Sequence, residues 1–332
     1  MPVLPLKALV TGAGALLGQG IIRAIERSSM EISVATADPS PLSAGLYWGD
    51  EGYLLKMAND PAYIDRLGEV LEEARPDILI PGTDSELSIL AEHRDQLESR
   101  YGTRVLVSDP SAVAIADDKY LTAQFFRDRG LPAPASALGE DAEGIQAVID
   151  AVGFPLVVKP RIGARSVGVS VVRDQRELED ALDGREGLVV QQCVGDEHEE
   201  YTSSVIVFEG EPQASIVMRR DLRDGNTYRA FSGPYPELNA QVRAMGAALQ
   251  PFGPANFQFR LDSEGRACVF EINCRFSGAT PLRALVGFNE VEMCLAHILN
   301  GEPVSQPEVR EATILRHWSE TVVDPVKAGQ LR

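Results

Sequence analysis

Apolar and polar positions alternate most regularly between residues 255 and 275. Asn256, Gln258, Arg260 and Asp262 fall on one face, and Phe257, Phe259 and Leu261 on the other. After the polar turn Asp262-Ser-Glu-Gly-Arg266, Cys268, Phe270 and Ile272 alternate with Val269, Glu271 and Asn273. A period of two belongs to a pleated strand, so the pattern predicts a hairpin with Gln258 near Glu271 and Asn273. Arg275 continues the polar face. An ordinary half-exposed hairpin has the same pattern, so pattern alone leaves a structural and a functional reading open.

The rest of the chain alternates between strand and helix patterns. Strands are expected at Lys7–Thr11, Ile32–Ala37, Asp77–Pro81 and Arg104–Val107. Helices are expected from the glycine turn to about Arg27, over Pro61–Ala74 and over Asp84–Arg100. That order predicts a doubly wound parallel sheet, an α/β domain over residues 1–110 that ends at Ser108-Asp-Pro-Ser. Beyond it come an amphipathic helix over Ala116–Gly130, a strand Leu156–Val158 closed by Lys159, and strands Gly187–Val194 and Pro212–Met218. A helix Pro236–Gln250 and a last strand Ala312–Val323 follow. Gly12, Gly14 and Gly18, with Asp38 about 20 residues further on, approach the dinucleotide fingerprint, but G-x-G-x-x-x-G is one residue too long. The same glycines serve a tight strand-to-helix turn with no nucleotide.

Composition narrows the partners. The 332 residues carry a net charge of −18, which repels nucleic acid and anionic membranes. Four cysteines stand far apart with no CxxC, which argues against zinc or disulfides and fits a reducing, cytoplasmic compartment. The N-terminal stretch is too broken by glycine for a signal peptide, and no apolar run approaches the roughly 20 residues of a membrane helix. An anionic substrate must then be captured by a local basic cluster. Lys159, Arg161 and Arg165, on a loop with Gly163, Ser166 and Gly168, are that cluster, although a decorated hairpin turn reads the same way. No Gly-Lys-Ser/Thr follows, so this is not a Walker A loop. Glu271 and Asn273 offer the oxygen-only ligands that suit Mg²⁺ shared with substrate phosphates. Asp84 and Glu86, after the strand at 77–81, would bind a substrate ammonium, or Asp84 would cap a helix. Arg219 and Arg229, with Arg220 and Arg223, flank the turn Asp224–Thr227 and would hold a carboxylate or balance nearby acids. Cys294 and His297 read as core or surface residues.

Asn256-Phe-Gln-Phe, the hairpin and Glu271-Ile-Asn-Cys-Arg-Phe-Ser-Gly278 together resemble the metal-and-phosphate hairpin of ATP-grasp enzymes, closest to the carbamoyl-phosphate-synthetase-like branch. The resemblance runs from Gly12 to about Pro303. It implies that the N-terminal domain is followed by an ATP-grasp fold of two α+β subdomains, a lid over 111–192 and a large subdomain over 193–332. It implies Mg²⁺ (two ions, with Mn²⁺ as a substitute) on Glu271 and Asn273 with Gln258 beside them, and Arg275 on the transferring phosphoryl group. Lys119, Lys159, Arg161 and Ser166 would face the phosphates. The main chain of Gln192, Cys193 and Val194 would read adenine, and Glu200 the ribose, with Glu199 as its substitute. Cys274 replaces a usual proline, and Gln191-Gln192 replaces an acidic pair. The implied activity joins a carboxylate to an amine through an acylphosphate, releasing ADP and phosphate, in a stand-alone ligase that is a homodimer. The alternatives are carboxylate or carbamate phosphorylation, a nicotinamide oxidoreductase and a non-catalytic ATP-binding regulator.

Overall fold

The computed structural model describes residues 6–163, 167–196, 198–324, 328–329 and 331. Strands β1 (Leu6–Val10), β2 (Ile32–Asp38), β3 (Glu51–Leu54), β4 (Ile78–Ile80) and β5 (Arg104–Val105) pair in parallel in the order β3-β2-β1-β4-β5. Helices α1 (Leu16–Ile25), α2 (Tyr63–Ala74) and α3 (Leu87–Tyr101) connect them. The doubly wound expectation holds. β3 escapes the sequence pattern because Glu-Gly-Tyr-Leu is short, sits at the sheet edge and buries only Tyr53 fully.

The glycine turn after β1 serves the chain's own packing. Gly14 N–H donates to Asp38 Oδ2 at 2.7 Å, and Asp38 Oδ1 accepts from Ser43 Oγ at 2.6 Å. A Cβ on Gly18 would stand 2.3 Å from Gly12 O, and one on Gly45 would stand 1.8 Å from Ala13 O. The segment 43–47 thus closes over the turn, and Asp38 braces it. The two features of a nicotinamide site are both consumed, and that alternative loses its support.

Helices α4 (Pro110–Asp117) and α5 (Lys119–Arg127) follow, and Asp118 caps α5 by accepting from Tyr120 N–H at 2.9 Å. The lid holds β6 (Ser136–Leu138), α6 (Ala142–Val152), β7 (Leu156–Pro160), β8 (Ser170–Val172), α7 (Gln175–Leu182) and β9 (Leu188–Gln192), with strand order β6-β9-β7-β8 and a core of its own. A boundary at residue 111 would give α4 and α5 to the lid. Packing gives them to the large subdomain: Ala112, Ala116 and Phe126 join its core, with the Phe126 ring 6.1 Å from that of Phe257.

The large sheet is antiparallel. Its strands are β10 (Glu200–Phe208), β11 (Glu211–Arg223), β12 (Asn226–Ser232), β13 (Gly253–Leu261), β14 (Ala267–Asn273) and β15 (Ala312–Leu315), in the order β14-β13-β10-β11-β12-β15. Helix α8 (Pro236–Leu249) covers one face; α9 (Thr280–Ala284), α10 (Glu290–Asn300) and α1 cover the other. One apolar core therefore runs from the N-terminal domain into the large subdomain.

The predicted hairpin is β13–β14, with one correction. Gln258 pairs with Glu271 but Phe259 pairs with Val269, so Phe270 is an extra residue in a β-bulge. The bulge inverts the alternation. Ala267 and Val269 face the core before it, Ile272 after it, and Phe270 with Glu271 faces the cleft.

Behind the hairpin, Arg283 and Glu290 form an ion pair at 3.0 Å with neither side chain exposed. Arg283 also donates to Asn256 Oδ1 at 2.7 Å and Ser277 Oγ at 3.0 Å, while Ser204 and Thr280 hydroxyls donate to Glu290. Removing one partner strands a buried charge, which costs about 3–5 kcal/mol. Arg283→Met should lower the urea midpoint accordingly, and adding Glu290→Gln should recover part of the loss. An unchanged midpoint in the single variant would refute this.

Candidate active site

A cleft of about 1130 Å³ opens where the N-terminal domain, the lid and the large sheet meet. Among the described residues, nine cationic side chains and five carboxylates line it. It is thus a cationic cleft in a protein of net charge −18.

Lys159 ends its core strand β7 with only 6% exposure. Its Nζ donates to Phe270 O at 3.3 Å and lies 5.3 Å from the Phe270 ring, a contact that the bulge makes. Burial pushes its pKa down to about 8, with the Glu271 charge opposing. Lys119 opens α5. Its Nζ donates to Gly163 O at 2.7 Å and its backbone N–H to Arg161 O at 3.0 Å, which stitches the start of the lid loop to the large subdomain.

Arg161 does not reach the cleft lining. Its guanidinium lies on Asp118 Oδ2, with Nε at 3.0 Å and Nη2 at 2.5 Å, and braces the cap of α5. Arg165 and Ser166 lie outside the described residues. The connector Gln192, Cys193 and Val194 lines the cleft. Gln192 is tied to the lid: its side chain accepts from Ala135 N–H at 3.3 Å and its backbone N–H donates to Ala135 O at 2.8 Å.

Glu200 begins β10 and lines the cleft; Glu199 does not. Register places Glu200 between Arg220 on β11 and Arg260 on β13. It accepts from Arg220 Nη2 at 2.6 Å and Arg260 Nη2 at 3.0 Å. Arg220 also donates to Gln258 Oε1 at 2.6 Å. These arginines are the ones that sequence reasoning underused. Strand phase, counted from Glu200, separates Arg220 from Arg219. Arg219 stacks on Phe231 at 3.9 Å and pairs with Asp221, and Arg229 reaches the same acid at 3.7 Å. Neither lines the cleft.

Next along the hairpin, Glu271 Oε1 accepts from Gln258 Nε2 at 3.0 Å and Asn273 Nδ2 at 3.3 Å. Asn273 Oδ1 accepts from Arg275 Nη2 at 2.8 Å. Arg275 is gripped by the N-terminal domain: its Nε and Nη2 meet the two Asp84 oxygens at 2.7 and 2.8 Å. Asp84 therefore orients a guanidinium and is not a free ammonium site. Glu86 is not in the cleft. It is buried, accepts from Tyr63 Oη and Thr83 Oγ1, each at 2.8 Å, and burial pushes its carboxyl up. Three cleft cations, Arg23, Arg173 and Arg316, went unnoticed because no motif marks them.

Comparison with known proteins agrees with this geometry. The model described as PylC-like, N-terminal domain, matches residues 9–107. A RimK-like ATP-grasp domain matches 116–233, and the model described as ATP-grasp in the biosynthetic pathway with Ter operon matches 188–321. D-alanine–D-alanine ligase B of Chromobacterium violaceum is 31% identical over 180 residues, 49% of this chain and 58% of the relative. The carbamoyl phosphate synthase large chain, N-terminal section, of Aquifex aeolicus is 23% identical over 189 residues, 53% of this chain and 33% of the relative. The chain thus spans less than two thirds of these curated relatives. The structure of N5-carboxyaminoimidazole synthetase from Staphylococcus aureus complexed with ADP superposes with a TM-score of 0.71 at 15% identity, covering 92% of this chain and 80% of that one. Lid, cleft and hairpin coincide with two overlapping ATP-grasp models that together run from residue 116 to 321, and the chain belongs to the ATP-grasp superfamily.

Proposed function

We propose that the protein is an ATP- and Mg²⁺-dependent ligase that activates a carboxylate as an acylphosphate and joins it to an amine. The observation that carries this is the meeting of Lys159, from the lid, with Glu271 and Arg275, from the hairpin, in one cationic cleft. Adenine lies against the main chain of Gln192 to Val194, the ribose near Glu200, and the phosphates between Lys119 and Lys159. Glu271, Asn273 and Gln258 supply oxygen ligands only. Among the described residues no cluster of three or more His, Cys, Asp or Glu forms a self-sufficient metal cage. The Glu271 carboxylate fits Mg²⁺ or Mn²⁺ completed by phosphate oxygens, and the Gln258 and Asn273 amide oxygens would join it on exchanging their bonds from Arg220 and Arg275. When bound, the cation neutralises phosphate charge; two ions are expected.

A carboxylate oxygen of the first substrate attacks the γ-phosphorus, and the bond to the bridging oxygen breaks as ADP leaves. Arg275, held in orientation by Asp84, Asn273 and the Phe276 carbonyl, brings its charge and its one remaining Nη1 hydrogen to the transferring group. The amine then attacks the acyl carbon, and phosphate leaves with the bonding pair. The same reading takes the protein to be cytoplasmic, homodimeric and specific for small molecules.

MgATP should raise the melting temperature, because a ligand that binds only the native state stabilises it, and NAD or NADP should not. ADP release should require a carboxylate and an amine together. Release with the carboxylate alone, with an acylphosphate trapped by hydroxylamine, would favour a carboxylate kinase instead. A shift with NAD and none with MgATP would contradict the proposal at its root.

A further inference from the structure

Arg316 follows the last strand, β15, and Arg23 lies in the last turn of α1, and both line the cleft. The segment after Arg316 crosses from the large sheet to the N-terminal domain. Ser319 Oγ accepts from Arg23 Nη2 at 3.4 Å, and Thr321 Oγ1 accepts from Trp48 Nε1 at 3.0 Å. Arg23 stacks on Trp48 at 4.9 Å. Arg316 is anchored by its Nη2 on Gly278 O and by its backbone N–H on Tyr228 O at 3.0 Å. Its Nη1 is enclosed with no hydrogen-bond partner among the described residues. Neither arginine forms a salt bridge among those residues, although Arg220, Arg260 and Arg275 in the same cleft all do.

Burial holds the Arg316 guanidinium below its ordinary pKa, and the neighbouring Arg23 charge adds to the effect. A fold that draws two cations together and leaves an enclosed donor unused pays about 1–3 kcal/mol for the orphan alone. An anion between them relieves both terms. Position limits what the anion belongs to. Gly278, which Arg316 grips, is three residues after Arg275, so at most about 11 Å of chain separates them. A group held at Arg316 therefore shares the cleft with Arg275, on the same short stretch of chain. Arg316 keeps its unpartnered Nη1 and Arg23 the N–H groups not given to Ser319, and two guanidinium groups suit the two oxygens of one carboxylate.

We propose that Arg23 and Arg316 form a clamp for a carboxylate on the amine substrate, so that the amine is a free amino acid and the product keeps that carboxylate. The clamp rests on the ligase reading and fixes its second substrate. It is also built from two domains, closed by the segment 316–321.

The test is ADP release with MgATP and a panel of small carboxylic acids, free amino acids among them. Each amine is offered as the amino acid and as its neutral carboxamide. Wild-type protein should use the amino acids, with KM raised about 10–100-fold for the carboxamides, the worth of a charged hydrogen bond. Arg23→Gln and Arg316→Gln should raise the amino-acid KM by that factor and erase the preference; Arg316→Lys should restore part of it. The melting shift with MgATP reports, for each variant, a folded protein with its nucleotide site intact. Equal use of carboxamides by the wild type, or an unchanged amino-acid KM in both Gln variants, would overturn the clamp while leaving the ligase standing. No ADP release with any amine would remove the ligase reading, and the clamp with it.

Discussion

Glu271→Gln and Asn273→Ala are each expected to lower kcat by about 10²–10⁴-fold, since several kcal/mol of phosphate-charge stabilisation depend on the cation they would hold. The fold should survive. Both side chains point away from the core face of β14, which Val269 and Ile272 fill. Glu271→Gln has a second consequence. The Glu271 carboxylate is the strongest charge supporting the protonated form of Lys159, so its loss should move the Lys159 pKa lower still. Steady-state kinetics at saturating Mg²⁺ with circular dichroism as the fold control check both variants. Wild-type turnover in Glu271→Gln would contradict the metal assignment.

The second large effect belongs to Lys159. Its pKa of about 8 sits below the ordinary 10.5, because burial penalises the charge. Phosphate needs the cation, so MgATP affinity of the free protein should fall as pH rises through about 8. Stability should move the other way. Between about 8 and 10.5 the unfolded chain keeps this proton and the folded chain does not, so the unfolded state binds more protons and stability rises with pH in that window. Lys159→Met should lose roughly 10²-fold in ATP affinity, within the range for truncating a buried charged partner, and should flatten the pH dependence near 8. Calorimetric titration at pH 7 and pH 9 measures both. A pH-independent affinity in the wild type would show that Lys159 does not meet the phosphates.

Parts of this site were legible in the sequence for a definite reason. Glu271, Asn273, Gln258 and Lys159 sit on strands, where alternation predicts shared faces, and the hairpin register does set Gln258 opposite Glu271. What escaped was set by events that leave no local trace. A one-residue bulge at Phe270 does not disturb the letters of the alternating pattern, yet it turns that ring toward Lys159. Arg161 looked like a phosphate ligand because a basic loop was needed, but Asp118, which caps the next helix, takes its guanidinium. Asp84 and Glu86 share a loop and differ in fate, since the first faces Arg275 from the cleft and the second turns inward to Tyr63. Arg316 depends on β15 joining the sheet beside β12, a pairing between segments about 80 residues apart. Chemistry carried by one strand was readable; chemistry assembled by packing between distant segments was not.

The most direct measurement follows an oxygen atom. A carboxylate substrate labelled with ¹⁸O on both oxygens is turned over with MgATP and an amine, and the released phosphate is examined by ³¹P NMR. Attack on the γ-phosphorus followed by acyl transfer predicts one ¹⁸O in each phosphate formed, with the other retained in the amide. Phosphate free of the label, from a reaction that still consumes ATP, would contradict the acylphosphate route and the ligase assignment with it.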